Sequence, residues 1–332
     1  MVMRGVKDLL KVIGEKKERL ESLRPWPGEI DRNLNDWFRV ELTYTSNAIE
    51  GNTLSRTETA MVVEKGLAVE GKTLTELQEA VNHAQAWDLV RNLTEEKTKP
   101  ISENDILNIH QKILEKIDDS SAGRYRTVAV RIAGSRVVLP NPLKIPDLMK
   151  ELVEWLSEVG VNPLKLAADA HYKLVSIHPF VDGNGRTARL LLNLILMRAG
   201  YPPAVIRKED RNKYIDSLEK TQLGGSRDDY YQLIFTAIER SLDEYLTVIE
   251  KNETKASAKP EGKLKIGQVS QLSGETAATI RYWTKQGLLK PAGFSPGGYY
   301  LYNQEILELI KNIRQMQKEQ RLSLEEIKKA IE

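Results

Sequence analysis

The chain has 332 residues, enough for two or three domains with a sizeable core, and its 41% hydrophobic and 29% charged residues are typical of globular proteins. The formal net charge of +2 gives no general argument for a nucleic-acid partner, and the lack of cysteine excludes disulfides and thiolate metal sites. The longest apolar run, 190–197, is too short to span a bilayer, and residues 1–24 are charged throughout, unlike a signal peptide. We therefore expect a cytoplasmic protein without a membrane partner.

The first hundred residues predict a series of helices. Residues 6–22 form a charged amphipathic pattern, and residues 29–50 carry an apolar stripe at helical spacing that ends at Gly51, a residue typical of a helix C-cap. Near that end, Ser46 and Glu50 lie four residues apart on one helix face. Taken alone, they indicate the polar end of a helix with a solvated glutamate. Two further helices are predicted over 53–66 and 74–93.

Three histidines lie in helical patterns outside the main motif. His83 and His110 have no metal-ligand spacing, and we interpret both as structural residues. The helix that contains His110 is predicted to begin after Ser102, a typical N-cap residue. His171 lies seven residues before His178 on a similar helix face, which fits either a supporting role or core filling.

Residues 123–142 have a different sequence pattern from the helical segments around them. Apolar residues alternate with period two from Val128 to Ile132, and Ala133-Gly134-Ser135 provides a turn toward a second apolar stretch at 137–139. The pattern predicts a β-hairpin. Helices are then predicted over 146–157 and 163–177.

Residues 178–189 concentrate the chemistry of the chain. They place an imidazole, a carboxylate, a Gly-Asn-Gly turn and two arginines within twelve residues, directly before a largely apolar run. Pro179 and the glycines disfavour a helix before Asn184, so we predict a loop that leads into a buried helix over 184–199 with Asn184 near its N-cap. Alone, the string also fits a glycine-rich turn with a core histidine and surface arginines.

The predicted geometry suits a phosphate-containing ligand. The first turn of a helix binds anions through its backbone N–H groups, and glycines let that backbone approach a phosphate closely. Arg186 and Arg189 lie on neighbouring positions of the first turns, where guanidinium groups can grip phosphate oxygens. Asp182 beside a polyphosphate is a natural Mg²⁺ ligand, and His178 can accept a proton near neutral pH.

The string His-Pro-Phe-Val-Asp-Gly-Asn-Gly-Arg-Thr-Ala-Arg resembles the Fic family signature HPF-x-[DE]-GNGR-x-x-R at every fixed position. The resemblance implies a protein adenylyltransferase that uses Mg²⁺ and ATP to transfer AMP to a Ser, Thr or Tyr hydroxyl of a target protein, and to itself. By the resemblance, the site residues are His178 as general base, Asp182 as Mg²⁺ ligand, Gly183, Asn184 and Gly185 around the nucleotide phosphates, and Arg186 and Arg189 as phosphate contacts.

The string Ser46-Asn47-Ala48-Ile49-Glu50-Gly51 resembles the inhibitory motif [ST]-x-x-x-E-[GN] of that family. The resemblance implies a class with an N-terminal inhibitory helix, in which Glu50 pairs with Arg189 and occupies space that the γ-phosphate needs. It leaves open whether inhibition acts within one chain or between the chains of a homodimer. Glu50 could instead orient a water that removes AMP from a modified protein. For the predicted hairpin, the resemblance suggests a flap that aligns a target segment, and the alternative is a structural ribbon.

The last part of the chain has a second recognisable pattern. Residues 251–262 lack large apolar side chains and are predicted to be a linker. Residues 263–332 resemble the winged helix-turn-helix of MerR-type regulators, which implies that Arg281, Tyr282 and Lys285 contact DNA. A winged domain used for protein contacts or dimerisation remains an equal alternative. The whole chain could then be a DNA-binding regulator whose Fic domain senses nucleotide.

The predicted fold is therefore mainly α, a Fic-type helical domain with a small β-hairpin flap and a C-terminal winged helix-turn-helix. The predicted segments are an N-terminal helical region at 1–100, a catalytic domain at 101–250, a linker at 251–262 and the winged domain at 263–332.

Overall fold

The computed structural model describes residues 5–157, 160, 162–257, 263–295, 298–319 and 322–331. The chain divides into two compact units, Met1–Ile249 and Glu250–Glu332. Each unit has its own cluster of buried apolar side chains. Among the described helices, none combines the length and the apolar character needed to cross a membrane.

The first unit is built from α-helices, which confirms the mainly α prediction. In chain order they are α1 (Val6–Ser22), α2 (Gly28–Ile49), α3 (Arg56–Lys65), α4 (Leu74–Glu95), α5 (Glu103–Leu114), α6 (Ile145–Leu156), α7 (Pro163–Ile177), α8 (Asn184–Arg198), α9 (Arg211–Gln222) and α10 (Asp228–Ser257), which continues past the end of this unit at Ile249.

Local sequence explains where several of these helices begin. The side chain of Ser102 accepts a hydrogen bond from the Asp105 N–H, and Asp105 bonds back to the Ser102 N–H, so the predicted N-cap of α5 is confirmed. Ser55 and Thr73 form the same capping box at the starts of α3 and α4. Such boxes satisfy backbone donors that a helix cannot pair internally.

α8 is the central helix of the first unit, as its apolar sequence predicted. It is buried along nearly its whole length and packs mainly against α7 and α4. Asn193 on α8 satisfies both backbone groups of Ala204, with hydrogen bonds of 2.8 and 3.3 Å. The buried cluster around α8 draws on residues from Leu9 to Ile249, so the regions predicted as 1–100 and 101–250 share one core.

The predicted β-hairpin at 123–142 is wrong, because these residues contain a turn but no strand. The turn is present where expected, with the Ser135 N–H donating to the Ile132 carbonyl. Val128 and Val138 are 58% and 92% exposed, so the alternating apolar face covers no core. A two-stranded ribbon without such a face is marginal in water. Arg126, which is buried, instead ties the two sides together by donating to the Val128 and Pro140 carbonyls at 2.9 and 2.8 Å.

The second unit has the predicted winged helix-turn-helix order. Gly274 adopts a left-handed φ of +75° between the first two helices, as a helix C-cap requires. The three strands of this unit form an antiparallel sheet with the last strand in the centre, and Lys263 pairs with Asn303. The elements are β1 (Lys263–Lys265), α11 (Ile266–Ser273), α12 (Ala277–Lys285), β2 (Gly293–Phe294), β3 (Tyr300–Asn303), α13 (Ile306–Glu319) and α14 (Leu324–Ile331).

The predicted linker needs a correction. α10 continues through Ser257, so residues 251–257 are helical. The cause is in the sequence, because Lys, Glu and Ala favour helix and the first Pro and Gly come only at 260 and 262. Residues 258–262 of the linker and 296–297 of the wing lie outside the described residues.

Candidate active site

His178 is held at the C-cap of α7 in a backbone conformation that few side chains adopt. Its φ of +50° and ψ of +58° are left-handed, and its N–H donates to the Leu174 carbonyl at 2.9 Å. Nδ1 lies 3.4 Å from the Val175 carbonyl oxygen, and because a carbonyl only accepts, Nδ1 carries the proton. Nε2 is therefore the nitrogen that can take up a proton. Burial lowers the pKa of His178, so the imidazole is neutral at pH 7.

Asn184 braces the loop that follows His178. Its Oδ1 accepts from the Phe180 N–H and its Nδ2 donates to the Phe180 carbonyl, both at 2.9 Å. Asn184 is the first residue of α8, and Gly183 is the N-cap. The Asn184 carboxamide is thus hydrogen-bonded to the loop backbone.

The two glycines of the Gly-Asn-Gly turn lie close to neighbouring side chains, and Gly183 has a backbone conformation that favours glycine. Gly183 has a φ of +75°, and a Cβ there would lie 3.2 Å from Ile113 and 3.3 Å from the His110 ring. A Cβ on Gly185 would overlap the Glu50 carboxylate. A carboxylate therefore lies against the first turn of α8, where backbone N–H groups favour an anion.

Glu50 and Ser46 both contact Arg189, and the resemblance to the inhibitory motif predicted the pair of Glu50 with Arg189. Glu50 Oε1 lies 2.6 Å from Arg189 Nη2. Arg189 also donates to the Ser46 Oγ and carbonyl, at 2.9 and 3.0 Å. The Arg189 side chain is 7% exposed and that of Glu50 38%. Burial alone would lower the pKa of Arg189, but the Glu50 carboxylate raises it overall, so Arg189 stays charged.

Arg186 is paired with two carboxylates, one of which the sequence did not indicate. Its Nη1 donates to Glu79 on α4 at 2.9 Å, and its Nη2 donates to Asp182 at 3.0 Å. Glu79 in turn accepts from Asn52 Nδ2 at 2.9 Å. The Arg186 side chain is 3% exposed. Both arginines of the motif are therefore paired with carboxylates.

Asp182 fits a magnesium site that takes most of its ligands from a bound nucleotide. Its side chain is 70% exposed beside the N-terminus of α8, with Oδ2 on Arg186. Across the described residues, no group of three or more His, Cys, Asp or Glu side chains could hold a metal without such help. One carboxylate together with phosphate oxygens and waters is a usual Mg²⁺ environment.

His110, interpreted from sequence as a structural residue, supports the Asp182 loop directly. Its Nδ1 accepts from the Gly123 N–H at 3.0 Å, so the proton is on Nε2, which donates to the Asp182 carbonyl at 3.0 Å. Its ring stacks on Phe180 at 3.6 Å between centroids. Burial lowers the pKa of His110 to about 4.

Arg126 is a second support that no sequence signal identified. The side-chain Nε of Arg126 donates to the His178 carbonyl at 2.8 Å, and its backbone N–H donates to the Pro179 carbonyl at 2.9 Å. With its bonds to the Val128 and Pro140 carbonyls, Arg126 links the segment 128–140 to the backbone of His178.

In the second unit, Arg281, Tyr282 and Lys285 are all exposed on α12. Ile280 and Trp283 point into the core of that unit. The three predicted DNA contacts therefore lie on the outward side of the helix.

Comparisons with known proteins agree with this architecture. A sequence model of the Fic/DOC family matches residues 100–196, and one described as MerR HTH family regulatory protein matches residues 264–332. The protein adenylyltransferase Fic of Nematostella vectensis is 37% identical over 242 residues, which are 72% of this chain and 56% of that protein. Its counterpart in Aedes aegypti is 38% identical over 237 residues, 70% of this chain and 47% of that protein. The chain thus spans about half the length of these curated relatives.

Solved structures show the same likeness in three dimensions. A Fic domain-containing signalling protein from Bacteroides thetaiotaomicron is 28% identical, with a TM-score of 0.66 over 72% of this chain and 97% of that chain. Fic-1 from C. elegans is 32% identical, with a TM-score of 0.69 over 74% of this chain and 73% of that chain. This shared fold and identity, together with the complete motif at 178–189, show that the chain belongs to the Fic/DOC family.

Proposed function

We propose that the chain is a protein adenylyltransferase that transfers AMP from Mg-ATP to a Ser, Thr or Tyr hydroxyl of a target protein, which includes the chain itself. The observation that carries the proposal is a neutral His178 at the C-cap of α7, joined by the short loop 179–183 to the first turn of α8, where backbone N–H groups favour an anion. The activity named for the curated relatives supports it.

The residues divide the work of the reaction. Nε2 of His178 takes the proton of the target hydroxyl, and that oxygen attacks the α-phosphorus. The bond from this phosphorus to the α,β-bridging oxygen breaks, and pyrophosphate leaves. Arg186 and Arg189 stabilise the phosphate charge, and the backbone of the Gly-Asn-Gly turn cradles it. When bound, Mg²⁺ held by Asp182 would neutralise further charge on the polyphosphate.

Glu50 holds the enzyme in a resting state in this proposal. Arg189 cannot serve the Glu50 carboxylate and a phosphate oxygen with the same N–H groups, and Glu50 lies against the turn that would receive the nucleotide. Within this structure the pair forms inside one chain, which supports inhibition in cis. A ligand shifts this equilibrium only by its differential affinity for the open state.

The test is label transfer from α-³²P-ATP with Mg²⁺. We compare the wild-type chain, Glu50→Gly and Glu50→Gly/His178→Ala, with GTP, CTP and UTP labelled at the same position as alternative donors. We expect strong labelling of the chain or of lysate proteins by Glu50→Gly, weak labelling by the wild type and none by the double variant. No labelling by Glu50→Gly with any of the four donors would refute the transferase proposal.

Removal of AMP is a second candidate that the exposure of Glu50 favours. The Glu50 side chain is 38% exposed, so water can reach it beside the first turn of α8. In that role Glu50 would orient a water for attack on the phosphorus of a modified target. Glu50→Gly should then raise transfer and abolish removal of AMP from a protein modified beforehand.

For the second unit we propose DNA binding through the exposed face of α12. The match to the MerR regulatory model and the outward side chains of Arg281, Tyr282 and Lys285 support it. We expect a salt-dependent gel shift with genomic DNA fragments that Arg281→Ala abolishes. A shift insensitive to Arg281→Ala would contradict this assignment. If the Fic unit only sensed nucleotide for such a regulator, ATP would change the shift without any label transfer.

A further inference from the structure

Three tyrosine side chains of this protein are exposed, and all three belong to the second unit. Tyr282 on α12 is 51% exposed, Tyr299 directly before β3 is 71% exposed, and Tyr300 on β3 is 41% exposed. The other nine of the twelve tyrosines are buried or half-buried. The first unit, which carries the transferase motif, therefore presents no tyrosine as accessible as those of the second unit.

The Tyr282 hydroxyl is held on the outer side of α12 and is free to react. Ile280 and Trp283, which are 0% and 2% exposed, anchor the inner side of the helix in the core of the second unit. No described residue is hydrogen-bonded to the Tyr282 hydroxyl. By contrast, the half-buried Tyr231 of the first unit donates its hydroxyl proton to Asp169 at 2.7 Å.

The two other exposed tyrosines have different surroundings. The Tyr300 ring packs on Phe294, with 5.3 Å between the ring centroids, and the two residues are paired in the sheet. Tyr299 lies in a stretch, residues 291–303, that contains no lysine or arginine. Tyr282 is therefore the exposed tyrosine that combines an unengaged ring with cationic neighbours in sequence.

Two cations flank Tyr282 on the outer side of α12. Arg281 directly precedes it, and Lys285 lies three positions later on a neighbouring part of the same helix face. Both side chains are exposed. A phosphodiester on the Tyr282 oxygen would carry one negative charge, so it would attract the cations that are proposed to meet DNA phosphates. The attached nucleoside would also add bulk to the helix face that is proposed to contact DNA.

We propose that Tyr282 of a second copy of this chain is a substrate of the transferase site, and that AMP on Tyr282 weakens DNA binding by the second unit. This inference rests on the proposed function and on the proposed DNA contacts of α12. It makes the winged unit both the DNA-binding part of the chain and the part that the transferase regulates.

The reaction at Tyr282 follows the proposed transfer. The hydroxyl gives its proton to Nε2 of His178, and its oxygen forms the new bond to the α-phosphorus. The bond from that phosphorus to the α,β-bridging oxygen breaks, and pyrophosphate leaves. Burial lowers the pKa of His178, and a phenol gives up its proton to such a weakened base more readily than an aliphatic alcohol does.

The test separates the enzyme from its substrate. The enzyme is the full Glu50→Gly chain, and the substrate is an affinity-tagged full chain with His178→Ala, which lacks the proposed base. The substrate also carries Tyr282→Phe or, as a matched control, Tyr299→Phe; each change removes one exposed hydroxyl and keeps the ring. After incubation with α-³²P-ATP and Mg²⁺, we expect label on the His178→Ala chain and on its Tyr299→Phe form, loss of most of that label in the Tyr282→Phe form, and AMP on Tyr282 by peptide mass spectrometry.

The effect on DNA binding is measured by gel shift with the same substrate chains before and after incubation. Modification should raise the dissociation constant for DNA about tenfold and reduce the slope of log affinity against log salt by about one. The Tyr282→Phe form should have the same affinity before and after incubation.

The other outcomes are distinguishable. If Glu50→Gly labels neither a copy of the chain nor a lysate protein with any nucleotide donor, the proposed function fails and the inference fails with it. Label on lysate proteins or elsewhere on the chain, without label on Tyr282 of the His178→Ala chain, would overturn the inference and leave the proposed function standing. Label on Tyr282 with unchanged DNA affinity, or a chain that binds no DNA before modification, would overturn the proposed regulation.

Discussion

Replacing Glu79 with Gln should weaken the resting fold and strengthen nucleotide binding at the same time. The change keeps the size of the side chain and removes the charge that faces Arg186 across 2.9 Å. Arg186 is 3% exposed, so its guanidinium cannot turn to solvent for compensation. Its remaining carboxylate partner is Asp182. The Asp182 side chain is 70% exposed, so water screens its charge and weakens its attraction to Arg186.

The size of the effect follows from the burial of the three groups. Removing one partner of a fully buried pair costs roughly 3–5 kcal/mol, because the other charge is left uncompensated. Here Asp182 retains part of the compensation, and the carboxamide oxygen of the introduced glutamine can still accept from Arg186. We therefore expect Glu79→Gln to lower the free energy of unfolding by about 1–3 kcal/mol without nucleotide. A polyphosphate would supply the missing negative charge, so its binding should recover part of that loss.

The assay is urea unfolding of the Glu50→Gly and Glu50→Gly/Glu79→Gln chains, each with and without Mg-α,β-methylene-ATP. We expect the midpoint of the second chain to be lower without nucleotide and its rise on adding nucleotide to be larger. Lys16→Gln is a control, since it removes a charge paired with Glu239 and Asp243 far from the motif in sequence. An equal nucleotide-induced rise in both chains would refute the reasoning, because Glu79 would then not compete with phosphate.

Three further predictions concern the groups around the motif. Because burial lowers the pKa of His178, the pH–rate profile of Glu50→Gly should fall toward acid pH with a midpoint below the ordinary histidine value of about 6.5. A midpoint at or above that value would contradict this prediction. His110→Phe keeps the ring stack but leaves the Gly123 N–H and the Asp182 carbonyl without their partner. We expect the free energy of unfolding in urea to fall by about 2 kcal/mol and the rate of AMP transfer to fall with it. An unchanged rate of transfer would show that His110 supports the fold alone. A lysine in Arg126→Lys cannot donate at once to the His178, Val128 and Pro140 carbonyls. Limited proteolysis should therefore cut residues 128–138 faster in this variant. An unchanged cleavage rate would show that these contacts do not hold the segment in place.

The parts of the site that lie close together in sequence could be predicted from it. Residues 178–189 form one loop and one helix start, so the order of residues already determines which groups meet. The Glu50–Arg189 contact spans 139 positions, and it was predicted from the family motif rather than from any local pattern. The starts of α5 and α8 could be predicted from Ser102 and from the glycines of the motif, because the effects of these residues on the backbone are local.

The supports of the site could not be predicted in this way. Glu79 contacts Arg186 across 107 positions and His110 contacts Asp182 across 72, and neither position differs by pattern from the rest of its helix. Such contacts depend on how whole helices pack. The prediction of a β-hairpin was wrong for a related reason. Apolar residues that alternate with period two do not indicate whether the folded chain has a core for them to cover.

The transfer rate of Glu50→Gly relative to the wild type is the most direct test of the account. Arg189 is buried and the Glu50 side chain is 38% exposed, so the pair should contribute less free energy than a fully buried pair does. Removing it should therefore raise the rate of labelling by roughly tenfold to a hundredfold. The added change His178→Ala should abolish this gain. A ratio near one, with both chains binding Mg-α,β-methylene-ATP equally, would contradict the claim that Glu50 holds the site closed.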